Sequence, residues 1–232
     1  MSDATDRGQE QPDSLISKED GRRYWESVDA NVSGMLGGLP QVSKLDIQSS
    51  RNFLAKFGIG SKPGQRKVAS ALEGGAGIGR VTQGLLLDGI AQQVDVIEPT
   101  VKFTAALQGK PGVRKIFNMG LEEWQPNEGF SYDLVWIQWC VGHLTDEQLV
   151  QFLKLCKSVL NPEAGLIVVK ENNSTGGKDE FDELDSSVTR EDRSFRRIFD
   201  QAGLRLVRVE LQRGFEAMGL LPVRMYALKP AQ

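Results

Sequence analysis

The 232-residue chain predicts an α/β sandwich, a seven-stranded and mostly parallel sheet with an antiparallel C-terminal hairpin and two extra N-terminal helices. Three observations carry this. From residue 66 onward, short apolar runs alternate with segments of helical period, the pattern of βαβ units around a parallel sheet. A glycine-rich turn follows the first run directly. No helical segment separates the sixth run from the seventh, so those two should pair antiparallel at one side of the sheet.

The strands are expected at 68–72, 94–97, 114–117, 132–137, 164–169, 204–211 and 223–228, with helices near 79–89, 100–108, 146–159 and 189–202. Residues 19–60 read as two helices ahead of the fold: Leu45, Ile47, Phe53, Leu54 and Phe57 recur at helical spacing, and Gly58 is placed to end the second. Residues 1–18 are polar with few large apolar side chains and are expected to form a flexible tail. Residues 19–232 then make one domain, a helical extension at 19–60 and an α/β core at 66–232, whose 40% hydrophobic content suffices for a single core.

A net charge of −3 argues against a broad phosphate-binding face and so against a nucleic-acid partner. No apolar run is long enough to span a bilayer, and the start of the chain has neither a basic nor a hydrophobic leader segment. The expected location is the cytoplasm, with the nucleus as alternative. Cys140, Cys156 and the single histidine, His143, supply neither a disulfide framework nor a zinc set, so no metal is expected.

In "LEGGAGIGR", Gly75, Gly77 and Gly79 alternate after the first strand, where the absence of Cβ lets the backbone turn sharply and approach a ligand. A plain strand-to-helix turn that merely needs glycine is the bland alternative. Arg80 stands where a dinucleotide fold would place its third glycine, which disfavours hydride transfer. Glu98 closes the second strand, where a carboxylate can accept hydrogen bonds from both ribose hydroxyls of an adenosine. A nucleoside site without a pyrophosphate points to S-adenosylmethionine and to a Rossmann-like methyltransferase fold.

In "WIQWCVGHLTDEQ", Thr145 and Gln148 form a capping box, which leaves Gln138, Trp139 and His143 in the loop at the carboxyl end of a central strand. Trp139 as core and His143 as a local backbone cap is the alternative. Asn172 ends the fifth strand at the same rim. The acidic run Asp179, Glu180, Asp182, Glu183 and Asp185 beyond it is either a solvated face or a surface that draws in a cationic substrate.

The stretches "YWESVDANVSGMLGG", "GGAGIGR", "WIQWCVGHLTDEQL" and "ENN…DELDSSVTR" together resemble the eukaryotic protein α-N-terminal methyltransferases, from Tyr24 to the C-terminus. The resemblance implies transfer of methyl groups from S-adenosylmethionine to proteins beginning X-Pro-Lys, ribosomal proteins among them, by a monomer. It implies cofactor contacts at Gly75, Arg80, Glu98, Leu121, Glu122 and Gln138, alongside Gly77 of the same glycine turn. It implies a peptide channel lined by Trp25, Leu36, Gly37, Trp139, Asn172, Asp182 and Ser187, with His143 and Asp185 as general bases. Asp182 would pair with the lysine at position three. Family members commonly carry Asp where this chain has Glu98 and Glu171; the first change lengthens the ribose acceptor, and the second is expected to matter little.

The chemistry agrees with a terminal amine. Deprotonating a lysine of pKa about 10.4 at pH 7 costs roughly 4.6 kcal/mol, whereas an α-amino group near 7.8 costs about 1.1 kcal/mol. A base that titrates near neutrality suits the second and is poorly matched to the first. The rivals are a methyltransferase of small amine metabolites, a lysine methyltransferase, and a non-catalytic peptide-binding relative.

Overall fold

The structure is a computed structural model that describes residues 11–231. Helix α1 (Lys18–Ser27) is capped by Ser17, whose hydroxyl accepts the Asp20 N–H, and the short α2 (Val32–Met35) is capped by Asn31. Helix α3 (Val42–Ala55) turns Val42, Asp46, Ser50, Phe53 and Leu54 inward. The two expected N-terminal helices are therefore α1 and α3, with α2 between them. The inward stripe of α3 differs from apolar expectation: Leu45 is exposed, and two polar residues take buried positions. Gly58, at φ 71°, ends the segment as expected.

Residues 11–18, expected to belong to a flexible tail, include a short 3₁₀ turn (Pro12–Leu15) and are tied to the rest of the chain by hydrogen bonds, though none of them is buried. The Asp13 carboxylate accepts the Asp146 N–H at 2.9 Å, and the Ser17 N–H donates to the Ser186 hydroxyl at 2.7 Å. A polar composition does not forbid order when its groups find partners across the chain. The part of that expected tail at residues 1–10 lies outside the described residues.

The sheet contains β1 (Val68–Gly74), β2 (Ala91–Ile97), β3 (Val113–Phe117), β4 (Leu134–Gln138), β5 (Leu166–Asn172), β8 (Leu204–Leu211) and β9 (Val223–Pro230). Between β5 and β8, β6 (Glu180–Asp182) and β7 (Ser187–Thr189) form a separate antiparallel hairpin that the acidic run did not announce. The order across the main sheet is β3-β2-β1-β4-β5-β9-β8, parallel except for β9, which runs antiparallel to both neighbours. The β8–β9 hairpin is the expected antiparallel pair.

Helical segment Thr82–Ile90, short α4 (Val101–Thr104), α5 (Asp146–Ser158) and α6 (Asp192–Gln201) fill the connections. Two large apolar clusters form the core, and β4 is buried along its whole length, as a parallel strand between helical layers must be. Strand order reverses between β1 and β4, and the crevice outside their carboxyl ends is where ligands of open α/β sheets bind. Among the described residues no helix is long and apolar enough to cross a membrane.

Candidate active site

At the end of β1, Gly75, Gly77 and Gly79 all have positive φ, at 69°, 52° and 78°. A Cβ on Gly75 would lie 2.4 Å from the Cys140 Cβ, and one on Gly79 2.4 Å from Leu107 Cδ2, so close approach as well as backbone conformation requires glycine. Glu98, buried at the end of β2, accepts the Gly77 N–H through Oε2 and the Thr100 N–H through Oε1, each at 2.8 Å. Burial raises its carboxyl above the usual range, against the pull of those two N–H groups. Each oxygen keeps a lone pair for a further donor.

A cavity of about 220 Å³ opens over this cradle, and all seven expected cofactor residues line it: Gly75, Gly77, Arg80, Glu98, Leu121, Glu122 and Gln138. Several of their polar groups already hold protein partners. Arg80 pairs with Asp46 at 2.6 Å, and the Gln138 amide donates to both Asp46 oxygens at 2.9 and 3.0 Å. Lys170, wholly buried in β5, completes the cluster by pairing with Asp46 and donating to the Ser50 hydroxyl. Burial alone would raise the Asp46 carboxyl, but Lys170 and Arg80 hold it below its ordinary value. Two cations share one anion, and the surplus positive charge reaches the cavity wall through Arg80. Glu122 is paired with Lys18 of α1 at 2.7 Å, and Ile16, Ser17, Gly21, Arg22 and Trp25 close the cavity from that side.

A cleft lined by both a buried acceptor, Glu98, and a cation, Arg80, fits S-adenosylmethionine, which carries ribose hydroxyls and an amino-acid carboxylate. Glu98 and the glycine turn would hold its nucleoside part, and Arg80 would balance its carboxylate.

The loop after β4 carries Trp139 and His143. Trp139 has φ 54°, which is strained for a non-glycine residue; its ring stacks on Phe215, and its buried indole N–H has no partner among the described residues. His143 ends a single 3₁₀ turn, Val141–His143, ahead of the Thr145–Gln148 capping box. Its Nε2 accepts the indole N–H of Trp25 at 2.9 Å. Burial lowers its pKa, with the nearby Asp185 charge acting in opposition.

A second cavity, about 360 Å³, adjoins the first and is lined by Trp25, Leu36, Trp139, His143, Asn172, Asp185 and Ser187, with Leu220 and Val223 among its apolar groups. The two cavities share Trp25, Met35, Trp139 and His143. Two expected members stand apart from it. Gly37 is an exposed turn residue at φ 56°. Asp182 is exposed on β6, where its carboxylate accepts the Leu184 N–H at 2.8 Å and shapes the hairpin turn.

Met35, Asp46, Lys170 and Arg190 hold places in or behind the site that no sequence motif announced. Glu171, expected to matter little, is buried in the wall of the second cavity and accepts the N–H groups of Cys140 and Val141 at 2.7 and 3.1 Å, so it holds the loop that bears Trp139. A signal existed: "LIVVKEN" places Lys170 and Glu171 in a strand otherwise apolar on both faces, and buried charges require partners.

The chain matches over residues 13–229 the family described as AdoMet dependent proline di-methyltransferase. It is 41% identical over 211 residues to alpha N-terminal protein methyltransferase 1 of Schizosaccharomyces pombe, covering 89% of this chain and 93% of that protein. It is 44% identical over 197 residues to N-terminal Xaa-Pro-Lys N-methyltransferase 1 of Bos taurus, covering 82% and 86%. Among solved structures, a SAM-dependent methyltransferase of Leishmania major superposes with a TM-score of 0.80 at 37% identity, over 91% of this chain and 82% of that one. A Synechocystis magnesium protoporphyrin IX methyltransferase with bound SAM, at TM-score 0.59 and 13% identity over 94% of each chain, shares the fold alone. With relatives this similar along nearly its whole length, the chain belongs to the AdoMet-dependent proline di-methyltransferase family and is an S-adenosylmethionine-dependent methyltransferase.

Proposed function

We propose that the chain methylates the α-amino nitrogen of proteins whose exposed N-terminus reads X-Pro-Lys. The observation that carries this reading is the junction of two cavities at Trp25, Met35, Trp139 and His143: a cofactor-sized cleft on one side, a partly apolar cleft with carboxylates on the other. The names borne by the relatives in Schizosaccharomyces pombe and Bos taurus point the same way.

S-adenosylmethionine, when bound, supplies an electrophilic methyl group on a sulfonium. The chain's part is to deliver a neutral amine. Leu36, Phe215, Leu220 and Val223 form an apolar wall suited to the substrate's proline, whose fixed φ loses little entropy on binding. The Trp139 indole N–H, unpartnered among the described residues, and the Asn172 amide in the cavity wall would hold peptide carbonyls. Asp185 draws the cationic terminus inward, and its Oδ1 is buried without a partner among the described residues. His143, kept neutral at pH 7 by burial, and Asp185 are the proposed acceptors of the amine proton. Asp182, exposed at the hairpin, is proposed to meet the lysine at position three, and Gly37 to border the incoming chain. The proposal extends to ribosomal proteins as acceptors, to a monomer as the working unit, and to the cytoplasm, with the nucleus as alternative.

Intact-mass measurement on a Pro-Pro-Lys peptide with protein and cofactor should show stepwise methyl gain. The gain should vanish when the amino terminus is acetylated and drop sharply when the second proline is replaced. Methylation of the acetylated peptide would establish lysine as the acceptor, and methylation confined to small amines would favour the metabolite reading.

A further inference from the structure

His143 is the chain's one histidine, and α1 meets it at two points. Trp25 donates its indole N–H to Nε2 at 2.9 Å. One helical turn earlier, Gly21 is buried against the ring, and a Cβ there would lie 3.2 Å from Nδ1 and 3.3 Å from the Asp185 carbonyl oxygen. Glycine in the body of a helix costs roughly a kcal/mol relative to alanine, so a helix this short keeps one for a reason of packing.

We propose that α1 sets the proton geometry of His143: Trp25, admitted to the ring by the missing side chain at Gly21, locks the free enzyme's imidazole with its proton on Nδ1 and its Nε2 lone pair covered. An indole nitrogen can only donate, so the nitrogen facing it must be the acceptor, and the neutral ring then carries its hydrogen on the other nitrogen. In water the opposite tautomer is preferred, so the hydrogen bond selects a minority form. Protonating Nε2 would set two N–H groups head to head, so proton acceptance there requires Trp25 to leave. Trp25 is also a wall of both cavities, and a peptide entering the second cavity can displace it. As the indole withdraws, the substrate ammonium gives up one N–H proton to Nε2, its nitrogen keeps the bonding pair, and the ring becomes imidazolium. Trp25 and Gly21 are positioning residues that make the base available when the substrate is there to use it. This rests on the proposed reading of His143 as a proton acceptor.

Several charged groups surround the ring. Lys18 and Arg22 of α1 line the first cavity and are paired with Glu122 and Glu123. Glu171 of β5 lines the second, and Asp185, in the β6–β7 turn, acts on His143 directly.

With a single histidine, ¹⁵N imidazole shifts of the intact protein read the tautomer without assignment. The free enzyme should show the Nδ1–H form. Trp25→Phe keeps a ring but loses the donor, so the Nε2–H form should appear and the histidine midpoint should rise by about one pH unit, the worth of one hydrogen bond. The acidic limb of kcat/KM should move with it. Gly21→Ala, which favours the helix itself, should give the same ¹⁵N change by pushing the ring away. An Nε2–H signal in the unaltered protein, or no change in Trp25→Phe, overturns the lock. A tautomer that shifts while the pH profile of turnover stays fixed overturns the positioning role. Absence of turnover on any amine, with the ¹⁵N signature intact, would instead sink the functional reading on which the role depends.

Discussion

Glu98 shows how much one side chain is asked to do at this site. Its two oxygens tie the glycine turn to the start of the β2–α4 connection through Gly77 and Thr100, and the residue lines the cavity. Glu98→Gln must turn an NH₂ toward one of those backbone donors, leaving a buried N–H without its acceptor. Losing hydrogen bonds to a charged group costs about 1.5–3 kcal/mol, so cofactor affinity measured by calorimetry should fall roughly ten- to hundredfold with peptide affinity little changed. An unchanged cofactor Kd would remove Glu98 from the proposed contact. Glu98 could be found from sequence because its position at a strand end follows from the local pattern. The burial of Asp46 could not, since it depends on Lys170, 124 positions away.

The loop between β4 and α5 is the element on which turnover should depend. Two buried ionisable side chains grip it. Glu171 accepts two of its N–H groups, while Arg190, wholly buried, donates to the carbonyls of Val141 and Leu144 at 3.0 and 2.5 Å and pairs with Asp146 at 2.8 Å. Such a frame can hold Trp139 at its strained φ of 54°. Arg190→Met keeps the bulk but leaves two carbonyls and a carboxylate unpaired. Urea unfolding should show a loss of about 3 kcal/mol, and kcat should fall more than KM rises. A variant as stable as the parent would show that the grip is dispensable. The capping box that starts α5 was legible in four consecutive residues, whereas the Arg190 contact joins segments that only packing brings together.

At the scale of the whole molecule, two buried carboxyls make stability depend on pH. Burial pushes Glu73 up to about 8, against the hydrogen bond from Thr82, and Glu171 up to about 7, against the N–H groups of Val141 and Cys140. In the unfolded chain both would titrate near 4.3. Between that value and 7 to 8 the folded state binds more protons than the unfolded one, so stability falls as pH rises through the window. His143 is shifted downward and acts oppositely, but its influence ends near its unfolded value of about 6.5. The thermal midpoint should therefore drop by several degrees from pH 6.5 to 8.5, given about 2–4 °C per kcal/mol for a chain of this size. Glu73→Gln, which mimics the protonated form, should remove most of that drop; a midpoint that stays flat in the parent protein would contradict the assignment.

The seven sheet strands, the antiparallel closing pair, the glycine turn with its acid, and the loop that presents Trp139 and His143 could all be read from the order of the amino acids. These rest on periodicity and spacing within a few residues, where the backbone's own preferences act. Long-range packing was needed to bring Trp25 to His143 across 118 positions and Ser17 to Ser186 across 169, and to bury Asp46 among cations. Such contacts form because burying one polar group obliges the fold to supply its partner, and that partner can come from any segment that packing brings within reach.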